Sequence, residues 1–176
     1  WPGVLAEQSV DLTGLRETAL GLFKTSVKEL IDHREREGRA LKELIEQRLA
    51  AILTIVTQVQ EQLPTILASQ RQNLHDKLTE LSADLDPQRL EQEMVLLANK
   101  ADVAEELDRL STHVQEVRYT LQQKQAIGRR LDFLMQELNR EANTLSSKSI
   151  VTATTLSAVE LKVLIEQMRE QVQNIE

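Results

Sequence analysis

The 176-residue sequence has no cysteine, and it contains one tryptophan, one tyrosine, two phenylalanines, five glycines and three prolines. Without cysteine, neither a disulfide framework nor a thiolate metal site can form. So few aromatic residues leave leucine, isoleucine, valine and alanine to fill a core, as they do in helical bundles and coiled coils. Because glycine and proline are the main breakers of regular structure, their scarcity favours long helices. The predicted fold class is all-α.

Two further absences concern the protein's surroundings. The sequence has no apolar run of about 18 residues and no signal-peptide pattern, so we expect no membrane span and a cytoplasmic location. The net charge of −7 argues against a protein that coats nucleic acid through bulk positive charge, so polyanion binding would need local basic clusters. Since the chain begins Trp1-Pro2-Gly3 without an initiator methionine, we expect it to be part of a longer protein.

Apolar spacing predicts a long amino-terminal helix. Apolar residues recur three and four apart from Leu12 to Ile31 and again from Leu41 to Leu63, and only Gly38 in the polar stretch between them disfavours a helix. Pro64 is expected to end the helix. At 1.5 Å per residue this helix would be about 75 Å long, more than a small domain covers. We therefore expect part of it to project into solvent or to pack against another chain.

The rest of the predicted architecture is a set of shorter helices. A second, antiparallel helix over residues 65–82 completes an arm of residues 1–86, and the capping pair Asp86-Pro87 opens a charged carboxyl-terminal helical domain of residues 87–176. In that domain, apolar heptad seams run from Val103 to Leu121 and from Leu161 to Ile175. The polar segment Asn143–Ser149 is predicted to be a turn between the last two helices.

One line of polar residues follows the seam of the helix after Asp102. Asp102, Glu106, Arg109 and His113 are spaced 4, 3, 4, which places them within about 60° of one another at the edge of the buried face. Two carboxylates, a guanidinium and an imidazole there suit a divalent cation and a phosphate. The residues alone leave a structural alternative open, with Asp102 and Glu105 as cap chemistry and Glu105–Arg109 as an ordinary i,i+4 ion pair.

The following helix carries the densest positive charge of this half. Four of its polar residues share one face, namely Arg129, Asp132, Gln136 and Arg140, with Lys148 just beyond. Arginine forks suit phosphate oxygens. The alternative is an interfacial ion-pair network with Glu137 and Glu141.

Other catalytic signatures are lacking. There is no glycine-rich phosphate loop, no zinc-ligand spacing and no nucleophile elbow. His33 and His75 are expected on the surface, and Trp1 and Tyr119 are too isolated to form a base-stacking platform. Composition and spacing by themselves predict a helical oligomer without assigning it a role.

Several long segments, in order, resemble the YicC-like (YicC/YloC) family of bacterial proteins. The segments are Leu90–Ala98, Asp102–Leu110 with His113, Gly128–Phe133, Gln136-Glu137, Asn139–Thr144, Ser147–Ser149, Glu160–Lys162 and Ile165–Glu176. The start, Trp1–Val4, is similar to the junction after the family's amino-terminal domain. The resemblance therefore covers essentially the whole chain.

This resemblance implies a bacterial endoribonuclease that depends on Mg²⁺ or Mn²⁺ and cleaves single-stranded or small regulatory RNA. It also implies homo-hexamers that enclose RNA and a role in stress response. We therefore expect this chain to be a fragment without the family's amino-terminal domain, and the resemblance does not assign cleavage to the fragment alone. The alternative is a non-catalytic helical oligomerisation module or RNA adaptor.

Chemistry assigns candidate roles within the matching segments. The candidate metal ligands are Asp102, Glu105, Glu106 and Asp108, because Mg²⁺ and Mn²⁺ prefer oxygen donors. His113, with Glu106, is the candidate for proton transfer, since imidazole titrates near neutral pH. The candidate RNA-binding residues are Arg129, Arg130, Arg140, Asn143 and Lys148.

Overall fold

The structure, a computed structural model, describes residues 12–80, Gln92, Val95, 102–173 and Ile175. These residues form four helices and no strand: α1 (Leu12–Glu80), α2 (Ala104–Thr120), α3 (Gly128–Lys148) and α4 (Thr152–Val172). The all-α prediction, with a long amino-terminal helix and a helical carboxyl-terminal part, is confirmed. Within the described ranges, no helix combines the length and the apolar character that crossing a membrane requires.

The predicted end of the first helix at Pro64 is wrong. Helix α1 continues through Pro64 to Glu80, so one helix replaces the predicted antiparallel pair. Proline removes the hydrogen bond that the carbonyl group of Gln60 would accept. Because Gln60 and Pro64 are both exposed, water can satisfy that carbonyl, and the helix continues.

Internal contacts divide the chain into two units, Trp1–Leu41 and Lys42–Glu176. The predicted domain boundary at Asp86-Pro87 lies outside the described residues and stays a prediction. Of the helix predicted after it, only Gln92 and Val95 are described, and both are helical. In the first unit, large apolar side chains of α1 are solvent-exposed: Leu15, Leu20, Leu22, Phe23, Val27, Leu30 and Ile31. No described residue of that unit covers them.

The second unit has one continuous hydrophobic core made by four helices. Its buried side chains are aliphatic and recur at helical spacing; the fully buried ones include Ile45, Leu49, Ile52, Leu107, Leu110, Leu131, Leu134, Leu138, Leu145, Leu161 and Ile165. The seams predicted for α2 and α4, and the second half of the seam predicted for α1, therefore face this core, as expected for amphipathic helices. The first half of the α1 seam does not, since its apolar side chains are exposed. The second half of α1 belongs to the same core as the charged helices.

Polar contacts also join α1 to the other helices of this unit. Arg118 of α2 pairs with Glu46 at 3.5 Å, and Arg48 donates a hydrogen bond to Gln167 of α4 at 3.1 Å. These contacts lie beside the apolar core and place this part of α1 against both α2 and α4.

The ends of α2 and α3 differ from the prediction. Helix α2 has Val103 as its N-cap, while Asp102 accepts a hydrogen bond from the backbone N–H of Ala104 at 3.3 Å. Helix α3 includes most of the predicted Asn143–Ser149 turn and ends at Lys148. The turn prediction was wrong because Ala142 and Leu145 continue the buried face of α3, and their burial favours the helix over local turn propensity.

The core assignment predicts a clear contrast between two leucines. Leu138 of α3 is fully buried, whereas Leu156 of α4 is 63% exposed. We expect Leu138→Ala to lower the free energy of unfolding by ~3 kcal/mol, since the substitution leaves a cavity. Leu156→Ala should change it by less than ~0.5 kcal/mol. Urea unfolding followed by circular dichroism measures both, and equal effects would contradict the assigned core.

Candidate nucleic-acid interface

Helix α3 presents three faces with different chemistry. One face is buried in the core through Leu131, Leu134, Met135, Leu138, Ala142 and Leu145. At ~100° per residue, the opposite face carries Arg129, Phe133, Gln136, Arg140 and Asn143, and all five are exposed. A third, lateral face carries Arg130, Glu141 and Lys148. The seam of the helix therefore decides which cations point to solvent and which point to a neighbour.

The lateral face of α3 forms ion pairs with α2. Arg130 pairs with Glu116 at 3.4 Å, Arg109 with Glu141 at 3.5 Å, and Lys148 with Glu106 at 2.8 Å. Because the two helices are antiparallel, the residue number of the partner on α3 rises from one pair to the next as that of the partner on α2 falls. We call these three contacts the α2–α3 ion pairs.

The Glu106–Lys148 pair contains a buried carboxylate. Glu106 is 6% exposed, and its Oε1 accepts a hydrogen bond from Lys148 Nζ at 2.8 Å. Lys148 Nζ also donates to the backbone carbonyl of Asp102 at 3.0 Å. The hydrogen bond with Glu106 is the largest cause of the raised pKa of Lys148. Glu106 Oε2 is buried and has no hydrogen-bond partner among the described residues.

Arg109 lies between two carboxylates. It forms an i,i+4 ion pair with Glu105 on its own helix and reaches Glu141 across the interface. Glu105 first, then Glu141, raises the pKa of Arg109 through attraction of the positive charge. Glu141 is 4% exposed, so Arg109 compensates a carboxylate that burial would otherwise penalise. The ordinary i,i+4 ion pair that the sequence left open as an alternative for Glu105 and Arg109 is therefore observed.

His113 lies on α2 between Arg109 and Glu116, both of which form α2–α3 ion pairs. Its side chain is partly buried, and no described residue donates to it, accepts from it or pairs with it. His113 is thus the unpaired polar residue of this line, and its ring nitrogens are available to a ligand. His33 and His75 are exposed on α1, as predicted.

Each of the four predicted metal ligands has a different polar partner. Glu105 pairs with Arg109, Glu106 with Lys148, and Asp108 accepts a hydrogen bond from Gln60 of α1 at 3.4 Å. Asp102 accepts a hydrogen bond from the backbone N–H of Ala104 at 3.3 Å. Among the described residues, no three or more histidine, aspartate or glutamate side chains lie close enough to hold a metal ion. The described residues therefore do not by themselves form a site for a divalent cation.

The predicted RNA-binding residues fall into two groups. Arg130 and Lys148 belong to the α2–α3 ion pairs, and Lys148 is about one-third exposed, at 34%. Arg129 and Arg140 are exposed on the outward face, and neither guanidinium has a partner in the described part of the chain. The amide of Asn143 on the same face donates to Asn139. The structure thus brings Arg129, Arg140 and Asn143 together and separates Lys148 from them.

Sequence reasoning missed the role of two residues. Glu141 was considered only as a general ion-pair partner, whereas it is a buried carboxylate that binds Arg109. Phe133 was not considered, although its position four residues after Arg129 placed it on the same face. Its ring lies beneath the guanidinium of Arg130, with 5.8 Å between Cζ and the ring centroid, and Phe133 is 48% exposed.

In its described part the chain is an all-α bundle with unpaired arginines on one outward face and ion pairs between neighbouring helices. Its class is therefore an all-α protein with an exposed cationic face that suits a polyanion.

The family described as "Endoribonuclease YicC-like, C-terminal" matches residues 59–176. The chain is 51% identical over all 176 residues to a probable endoribonuclease YicC of Haemophilus influenzae, and it covers 61% of that protein. It is 35% identical over 151 residues to a probable endoribonuclease YicC of Clostridioides difficile, aligning with 52% of that protein and 84% of this chain.

The chain therefore belongs to the YicC-like family. It spans between half and two-thirds of the length of these two relatives.

The ion pair of Lys148 predicts an effect on stability. Lys148→Met leaves the Glu106 carboxylate buried without its cation, so we expect a loss of ~2 kcal/mol in the free energy of unfolding. This is below the value for a fully buried pair because solvent screens the partly exposed lysine. Glu106→Gln in the Lys148→Met background should recover at least half of the loss. Denaturant unfolding of the four proteins measures the coupling, and additive losses would contradict the assigned pair.

Proposed function

We propose that this chain is part of an endoribonuclease that acts on single-stranded or small regulatory RNA in the bacterial cytoplasm. The relatives, both described as probable endoribonucleases, support the class of reaction. The observation that carries the assignment to this surface is the pair of unpartnered arginines, Arg129 and Arg140, on the outward face of α3. In a chain of net charge −7, this face supplies the local positive charge that phosphate binding requires.

Proton transfer is the second requirement of phosphodiester cleavage. His113 suits this role because no described residue occupies its ring nitrogens and histidine is the side chain most often used as a general acid or base. Glu106 differs, because one of its oxygens is held by Lys148. The two residues are two helical turns apart on α2, about 10 Å along the axis, so Glu106 does not lie beside the ring of His113. We assign His113 to proton transfer and Glu106 to holding Lys148 at the start of α2.

Dependence on Mg²⁺ or Mn²⁺ is proposed separately from these roles. A bound divalent cation would supply charge neutralisation at the phosphate. Since the described residues of one chain offer no group of three ligands, such a cation would take ligands from elsewhere, with RNA phosphate among them. No step assigned to His113 or to the arginines depends on it.

A cleavage assay tests the proposed function. We expect the chain to cut a labelled single-stranded RNA and His113→Gln to slow cleavage by about 100-fold, the typical contribution of a general acid or base. His33→Gln is the matched control, because His33 is exposed on α1 beside Glu37. Activity with Mn²⁺ and with EDTA measures the metal dependence. Cleavage that survives His113→Gln unchanged would remove this residue from the mechanism.

The alternative function is a non-catalytic RNA adaptor or oligomerisation module. The observation that favours it is the pairing of Glu105, Glu106 and Glu141 with cations, which gives these carboxylates a structural role. In the assay above, RNA binding without any cleavage by the chain would favour the adaptor, as would cleavage that resists all variants of α2 and α3.

Self-association is a further part of the proposal, with the hexamer as the expected state. Two sets of exposed apolar side chains support it. One is the row on α1 between Leu15 and Ile31, and the other is Leu156, Val159 and Val163 of α4, which share one helix face. Exposed apolar patches of this kind mark interaction surfaces.

Light scattering tests the contribution of α4. We expect Val159→Glu to lower the mass of the assembly, because the substitution places a charge in a face that loses water on association. Ala153→Glu is the control, since Ala153 is also exposed on α4 but lies about 90° away from the centre of this face. If neither substitution changes the mass, the face of Val159 is not an interface between copies.

A further inference from the structure

We infer that Phe133 is a base-stacking residue, and that the outward face of α3 binds single-stranded RNA through one base and the phosphates on either side of it. The inference rests on the proposed function and deepens it. The proposed function requires RNA to bind at α3, whereas this inference states that the face distinguishes a strand with accessible bases from a bare phosphate chain.

The first observation is the exposure of an aromatic ring in a chain that has very few. Phe133 is one of two phenylalanines and leaves nearly half of its surface to solvent. The core of the same helix consists of leucine, methionine and alanine, so the ring does not fill the bundle. A single exposed apolar residue is ordinary. Phe133 differs from such a residue because charged side chains lie beside it on the same helix.

The second observation is the arrangement of those charges. Arg129 lies one turn before Phe133 and Arg140 two turns after it on the same face, and neither guanidinium has a partner in the described structure. Along the helix axis the two arginines are about 16 Å apart, with the ring between them. Two acids flank the face: Asp132 on one side accepts a hydrogen bond from Gln136 at 2.8 Å, and Glu137 lies on the other side and is partly buried. The face thus offers cation, ring and cation to an anion that carries planar groups.

The third observation is that the ring is held in place. The guanidinium of Arg130 lies over it at 5.8 Å, and Arg130 is itself tied to Glu116 of α2 at 3.4 Å. A cation over an aromatic face is attracted to it, so this contact restrains the ring before any ligand binds. Restraint lowers the entropic cost of stacking a base on it. Arg130 therefore acts as a positioning residue for Phe133, whereas Arg129 and Arg140 contact phosphate.

Single-stranded RNA is the occupant that these features favour. Its phosphates complement the two free arginines, and its unstacked bases can lie on a ring. In duplex RNA the bases are stacked on one another and are not available to Phe133. A second copy of this chain, with net charge −7, would have to present a local acidic patch and would gain nothing specific from the ring.

The inference is tested by comparing the affinities of the unchanged chain and of its variants for two oligonucleotides that differ only in their bases. The probes are two labelled oligonucleotides of about twelve nucleotides with 2′-O-methyl sugars, one unstructured and one with abasic residues at its centre, and binding is followed by fluorescence anisotropy. We expect the unchanged chain to bind the complete oligonucleotide about tenfold more tightly than the abasic one, and Phe133→Leu to bind both alike. Phe133→Trp should restore the difference. Tyr119→Leu is the matched control, because Tyr119 is exposed on α2 and is predicted to leave the difference unchanged.

Salt dependence separates the arginines from the ring. Arg129→Gln and Arg140→Gln should each reduce the slope of log affinity against log salt by about 0.7, the value for one phosphate contact with a single strand. Phe133→Leu should weaken binding of the complete oligonucleotide without changing that slope. Arg71→Gln, which removes an exposed arginine of α1, should change neither quantity.

Three results would overturn the inference. If Phe133→Leu discriminates between the two oligonucleotides as the unchanged chain does, the ring does not stack a base, although the proposed nuclease function is unaffected. If Phe133→Leu alters the mass by light scattering and leaves RNA binding unchanged, the face is an interface between copies. If the unchanged chain binds neither oligonucleotide and cleaves no RNA, the proposed function itself fails, and this inference fails with it.

Discussion

The burial of one face of α3 between its neighbours determines which polar side chains of that helix form ion pairs with α2 and which are exposed to solvent. An α-helix has a fixed angle between successive side chains, so placing Leu131, Leu138 and Leu145 in the core fixes the direction of every other residue on that helix. The lateral residues Glu141 and Lys148 then face α2, and Arg129 and Arg140 face solvent. The distinction between structural and ligand-binding cations is therefore a consequence of hydrophobic packing.

Burial of carboxylates at the α2–α3 interface adds a second constraint. Removing a carboxylate from water is costly unless a cation and hydrogen bonds compensate it. Lys148 does this for Glu106, and Arg109 does it for Glu141. These cations cannot exchange their partners for RNA phosphate without leaving a buried charge uncompensated. The ion pairs consequently leave the proposed RNA binding to the arginines that the interface does not use.

The two units contribute different things to the proposed nuclease. The unit Lys42–Glu176 contains the core, His113 and the outward face of α3, whereas the described part of Trp1–Leu41 offers exposed apolar side chains along α1. In the proposed assembly, those apolar surfaces and the exposed face of α4 around Val159 are where other copies would pack. The proposed chemistry lies on α2 and α3, so it and the proposed assembly occupy separate stretches of sequence.

Helix type, the apolar seams and the family followed from the sequence alone, because a 3.6-residue periodicity and long ordered motifs are local signals that do not depend on what packs against them. The end of α1 and the extent of α3 did not follow. Pro64 lies on an exposed face where its missing hydrogen bond costs little, and burial of Ala142 and Leu145 carries α3 through a segment with turn propensity. The exposure of Arg129, Phe133 and Arg140 follows from burial of the opposite face of α3. The candidate metal ligands shared spacing along one helix, but only the antiparallel register of α2 and α3 decided that Glu106 meets Lys148 and that Arg109 meets Glu141. Such pairings depend on the relative positions of two helices, which the periodicity of each sequence segment does not contain.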